Sequence, residues 1–106
     1  MASPTRLDSY LMDSLLPELV GRDRQPSAFL VYLYLWHRAS AVRARSVTVS
    51  LQRMAVDTGL SKSAVQRGIR TLLRRRLLRV EKSSPTSIPV YTVLRPWLRR
   101  VNRGHG

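Results

Sequence analysis

The stretch AVDTGLSKSAVQRGI, Ala55 to Ile69, constrains this chain more than any other. It reads as a helix that stops at Gly59 and starts again almost at once. Glycine enters the left-handed conformation without steric cost, so Gly59 can close the first helix. Ser61 or Ser63 offers a hydroxyl to cap the second, and Ser63 with Gln66 fits the capping-box spacing. Upstream, Ser50 suits the cap of a brief helix from Leu51 to about Thr58. Where two short helices cross at a corner, the first needs a small residue and the turn needs an apolar plug. Ala55, Gly59, Leu60 and Val65 stand at those offsets.

The second helix, Lys62 to Arg75, divides into two faces. Ile69, Leu72, Leu73 and Gly68 all project within about 80° of Val65, forming a core stripe. Ser63, Arg67, Arg70 and Arg74 fall within about 40° of the opposite pole, with Gln66 on the flank. Like charges three or four residues apart repel, and solvated faces usually mix signs. Here no acid relieves the arginines. Phosphates would supply the missing negative charge.

Charge along the whole chain points the same way. Nineteen basic residues against six acids give a net charge of +13. Residues 1–26 nearly balance, whereas residues 27–106 hold sixteen of the basic residues with only Asp57 and Glu81. Such asymmetry favours a polyanionic partner, nucleic acid before a membrane surface. A plain solubility charge is the simpler alternative. No apolar run reaches the ~20 residues of a membrane span, and no secretory signal is visible, so a cytoplasmic, nucleoid-associated location is expected. With no cysteine, disulfides and thiolate metal sites are excluded.

The remaining elements follow from local pattern. Leu7, Leu11 and Leu15 have helical spacing, and Pro17 disturbs or ends that helix. Gly21 to Pro26 reads as a linker, and Ser27 as the cap of a helix from Ala28 to about Ala39. That helix is apolar nearly all round, so it must be covered on most sides. Val47 to Val49 suits a short strand. Leu77 to Lys82 and Val90 to Leu94 suit a hairpin across SSPTSIP, leaving a basic tail from Arg95 to Gly106. The expected fold is mainly α with a small β-hairpin, an α+β class. It has an N-terminal extension over residues 1–26, a main domain over 27–94 and a tail over 95–106.

The run SVTVSLQRMAVDTGLSKSAVQRGIRTLLRRRLLRV, followed by strand, turn and strand, resembles a winged helix-turn-helix DNA-binding domain. The resemblance is to the bacterial type found in transcription regulators and plasmid replication initiators. It covers Ser27 to Leu94 and implies sequence-specific binding of double-stranded DNA. By that resemblance Ser61, Lys62, Ser63, Gln66, Arg67, Arg70 and Arg74 belong to the recognition helix, whose N-terminal half enters the major groove. Arginine pairs with guanine edges and glutamine with adenine. Ser50, Gln52, Arg53, Arg43, Arg45, Arg75 and Arg79 are phosphate candidates, and Lys82, Ser83 and Ser84 form the wing tip. Two positions depart from the pattern. Arg76 stands where such domains commonly place glycine, and Gly68 stands where alanine is usual, which implies close approach by the preceding helix.

Catalysis is not expected. The six acids form no acid/base or metal-ligand pair, His37 and His105 stand alone, and no phosphate-cradling glycine loop occurs. No cofactor or metal is anticipated. Two other readings stay open: a basic RNA-binding or ribosome-associated protein, and a module that docks on a larger protein through its N-terminal helix. A homodimer is expected as well, built from Leu7, Leu11, Leu15, Phe29, Tyr32 and Trp36, because so much apolar surface exceeds what one small domain can cover.

Overall fold

Val65 and Leu72, on the inner stripe of the second corner helix, have no exposed surface, and they define the wall against which everything else packs. A computed structural model describes residues 4–98. Its regular elements are α1 (Pro26–Ala41), β1 (Ser46–Thr48), α2 (Leu51–Thr58), α3 (Lys62–Arg74), β2 (Leu78–Glu81) and β3 (Val90–Val93). The chain is mainly helical with a three-stranded antiparallel sheet, an α+β architecture. The sheet runs β1-β3-β2, so the last strand lies in the middle. Val47 faces Tyr91 across one ladder, and Leu78 faces Val93 across the other. The β2–β3 hairpin and a short strand at Val47 to Val49 were expected from sequence, but not their pairing. The strand begins one residue earlier, at Ser46, and joins the far side of β3 because alternation turns Val47, Tyr91, Val93 and Leu78 together onto the core.

The corner forms as its residues dictate. Ser50 Oγ accepts the Arg53 N–H at 3.0 Å, and Ser61 Oγ accepts the Ala64 N–H at 3.1 Å. Each cap is worth about 1 kcal/mol. Ser61 rather than Ser63 caps α3. Gly59 turns at φ +80°, its N–H bonded to the Ala55 carbonyl at 2.9 Å. The start of α1 differs from expectation. Pro26, not Ala28, opens the helix, and Ser27 makes no cap; the locked φ of proline suits the first helical position.

Both α1 and α3 end in an unusual way. The Leu77 N–H reaches back to the Leu72 carbonyl and the Arg76 N–H to the Leu73 carbonyl, a Schellman motif. Ala44 and Arg43 repeat it on Ala39 and Ser40 at the end of α1. The left-handed residue in each is arginine, at φ +58° for Arg76 and +53° for Arg43. Glycine commonly holds this position, and a side chain there costs about 1–2 kcal/mol.

Gly68 has a clear steric reason. A Cβ built there would stand 3.0 Å from the Ser27 carbonyl oxygen and 3.2 Å from the Ala28 Cα. The close neighbour is therefore the start of α1, not the preceding helix α2.

The N-terminal segment is part of the same core. Leu11–Leu15 and Pro17–Arg22 form wide, π-type helical turns that run on past Pro17 instead of ending there. Proline has no N–H and its ring crowds the carbonyl four residues back, and the wider i→i+5 turns avoid that register. The buried stripe is Leu11, Leu15 and Leu19; Leu7 precedes the helix and stays exposed. Arg22 still lies in helix, so the expected linker shrinks to a few residues around Arg24. The segment is pinned by polar contacts too. Trp36 Nε1 donates to the Arg6 carbonyl at 2.7 Å, Trp97 Nε1 to Asp8 at 3.2 Å, and Tyr10 stacks on Trp97 with centroids 4.5 Å apart. Among the described residues, no helix is long and apolar enough to cross a membrane. Pro96 to Leu98 are helical, and the rest of the expected tail, residues 99–106, lies outside the described residues.

Candidate functional site

The amphipathic division of α3 survives in three dimensions. Val65, Gly68, Ile69 and Leu72 are buried, and so are Ala64 and Thr71. Lys62, Ser63, Gln66, Arg67, Arg70 and Arg74 are all exposed. Ser61 is exposed at the helix start, with its hydroxyl engaged as the cap. Arg67, Arg70 and Arg74 take part in none of the ion pairs among the described residues.

The reason lies in where the acids go. Glu18 and Asp23 are held by Arg75, Asp57 by Arg38 and Arg53, and Glu81 by Arg79. Asp8 accepts from Trp97. Tyr34 donates to Asp57 Oδ2 at 2.7 Å, and that hydrogen bond leads the effects that lower the Asp57 carboxyl pKa. Five of the six acids are thus engaged by groups other than Arg67, Arg70 and Arg74, though Asp23 also feels the charge of Arg74. That face is left as a ridge of cations with no ion pair of its own among the described residues.

Several site expectations change. Arg75 is not available to a phosphate. Its Nε and Nη2 donate to Asp23 at 2.6 and 2.8 Å, and its Nη1 donates to Glu18 at 2.9 Å. These partners raise the guanidinium pKa still further. The Ser50 hydroxyl is occupied as a cap, while Gln52 and Arg53 are exposed, Arg53 with Asp57 at 3.4 Å. Lys82, Ser83 and Ser84 are exposed on a turn that Ser87 ties to Ser84.

The residues assigned to a dimer interface are used inside the subunit. Leu11, Leu15, Phe29, Tyr32 and Trp36 are buried within the one chain, and Tyr32 donates to the Leu94 carbonyl at 2.7 Å. Burial raises the Tyr32 phenol well above its ordinary pKa. Leu7 alone remains exposed, so the argument that these side chains need a second subunit does not carry over to the folded chain.

Arg43 and Arg45 are exposed as expected, but they do not join the α3 ridge in one cluster. Arg43 lines a cleft with Arg6, His37 and Arg95. Arg45 and Arg79 line another, together with Arg76 and Arg95, which sequence reasoning had not assigned to a site. Only the register of Arg79 opposite Thr92, with Ser46 on the other side, brings them together. Among the described residues, no group of acids and histidines could hold a metal ion. No family model matches this chain, and no curated protein or solved structure shows significant similarity to it.

Proposed function

We propose that the chain is a winged helix-turn-helix domain that binds double-stranded DNA, with α3 in the major groove and the 82–89 turn against the backbone. It would act in the cytoplasm as a transcription regulator or as a replication or segregation factor. One observation carries the reading: Arg67, Arg70 and Arg74 form an exposed row on α3 that enters none of the ion pairs among the described residues, while five of the six acids are engaged by other groups. A stripe of this kind is unfavourable alone and becomes favourable against phosphates. The element order and the central position of β3 also suit a winged helix. At the N-terminal end of α3, Lys62, Gln66 and Arg67 have the hydrogen-bonding groups that read base edges. Aromatic platforms for single-stranded RNA are a poorer fit, since every aromatic residue described is buried or half-buried.

Fluorescence anisotropy with labelled duplex and single-stranded oligonucleotides tests the proposal. Duplex affinity should exceed single-strand affinity and should fall roughly 10³-fold between 50 and 200 mM salt. A flat salt dependence, or a preference for single strands, overturns it.

A further inference from the structure

The cleft beyond the C-terminal end of α3 has a composition unlike that of the α3 ridge. Among the described residues, four arginines line it, Arg45, Arg76, Arg79 and Arg95, and no acid does. Its floor is apolar, made by Leu73, Leu78, Leu94 and Leu98 beside the Thr92 hydroxyl. The volume is about 710 Å³, within the range of small-molecule sites. We infer that this cleft binds a small organic anion with an apolar body, an aryl or alkyl phosphate or carboxylate.

Three features of the cleft support that ligand class. Guanidinium groups hold carboxylates and phosphates through paired N–H donors. Arg45, Arg76 and Arg79 line the cleft, while the Arg95 guanidinium stacks on Trp36 and adds its charge from behind. Glu81 lies 3.6 Å from Arg79, but both side chains are mostly exposed, so water screens the pair and the cleft keeps its sign. A bare phosphate or a nucleic-acid backbone would use the arginines and leave the leucines unused. An apolar body uses both, in the usual arrangement of a ligand site in which a greasy wall carries a few polar anchors.

The backbone of Arg76 fixes where its side chain leaves the turn. It keeps the left-handed conformation that glycine adopts freely, at the turn where such a glycine is the common choice. Arg43 holds the same conformation at the end of α1, so the turn places the Arg76 side chain beside the cleft without itself naming a ligand. Behind the cleft, Arg95 rests its guanidinium 4.3 Å from the centre of the Trp36 ring, and its buried Nε has no hydrogen-bond partner among the described residues. Arg67, Arg70 and Arg74 are not among the residues that line the cleft.

The probes are 1-naphthyl phosphate, inorganic phosphate and 1-naphthol, titrated into the full chain by calorimetry with amide chemical shifts recorded in parallel. 1-Naphthyl phosphate should bind at least tenfold more tightly than either fragment and move the amides of Leu73, Arg76, Thr92 and Leu98. Arg76→Gly should weaken it at least fivefold while melting no lower than the parent, because glycine suits that turn. Arg79→Ala supplies a second variant with the same expected loss. Equal affinity for 1-naphthyl phosphate and inorganic phosphate overturns the inference, since the apolar floor would then contribute nothing. Shifts confined to Arg67, Arg70 and Arg74, or unchanged affinity in both variants, overturn it too.

Discussion

Arg75 and Asp23 meet in a two-pronged ion pair, Nε to Oδ2 at 2.6 Å and Nη2 to Oδ1 at 2.8 Å, across 52 residues of sequence. Glu18 completes the clamp from the wide turns that carry Pro17. The pair joins the last turn of α3 to the N-terminal segment. It also separates two jobs among neighbouring arginines: Arg75 holds the structure, while Arg74 and Arg70 face outward.

That division predicts opposite phenotypes for two similar substitutions. Arg75→Ala strands two half-buried carboxylates and should cost about 2 kcal/mol of stability, read from urea melts. Arg70→Ala should leave stability within about 0.5 kcal/mol and instead cost 1–3 kcal/mol in binding to a preferred duplex, blurring one base position. Equal losses of DNA affinity for both variants would undo the assignment.

The clamp also sets an acid limit. Hydrogen bonds from Arg75 hold the Asp23 carboxyl below its ordinary pKa, against the opposing effect of burial. A depressed carboxylate contributes stability above its unfolded pKa of about 3.9, and that contribution is lost as pH falls through the lower folded value. Stability should therefore hold from neutral pH to about pH 4 and drop below it. In Arg75→Ala the drop should be shallower, because the shift disappears with the guanidinium.

Removing residues 1–20 tests whether the N-terminal segment is an appendage. It takes away Leu11, Leu15, Leu19 and Glu18, three buried leucines and one arm of the clamp. At about 1.5–3 kcal/mol per buried leucine, the loss should unfold most of the chain, visible as a lost cooperative melt. A truncated chain that melts as the full one does would show the segment to be dispensable.

Two helix ends can be relaxed. Arg43→Gly and Arg76→Gly each replace a left-handed arginine, at φ +53° and +58°, and each should raise stability by about 0.5–1 kcal/mol. Calorimetric melting of the two variants checks this directly.

Gly68→Ala should do the reverse. Alanine adds about 1 kcal/mol of helix propensity, but its Cβ meets α1 backbone at 3.0 to 3.2 Å, where nothing flexible can yield. A net loss of about 1 kcal/mol is expected. A stabilised variant would mean that α1 can move aside.

Much of α3 was legible in the sequence because helical period decides which residues share a face. Val65, Ile69 and Leu72 are buried, and Arg67, Arg70 and Arg74 are exposed, as their spacing alone requires. The caps at Ser50 and Ser61 and the turn at Gly59 are local hydrogen-bond and steric matters, settled within a few residues. The near-continuous apolar pattern of α1 likewise announced burial, though not what would cover it.

Tertiary structure decided the rest, because it chose partners across distances that no local pattern encodes. Arg75 looks in sequence like its neighbours, yet Asp23 and Glu18 take it out of the exposed set. Leu11 and Leu15 fit a dimer stripe as well as a core stripe until the segment folds back on α1. Arg45, Arg76, Arg79 and Arg95 are scattered along the chain, and only strand register and the αL turn at Arg76 gather them around one cleft. Charge and period act between near neighbours, so the sequence by itself determined the corner and the two faces of α3. Long-range pairing minimises exposed apolar surface and unpaired buried charge over the whole chain at once. That choice determined which cations are structural and which remain free.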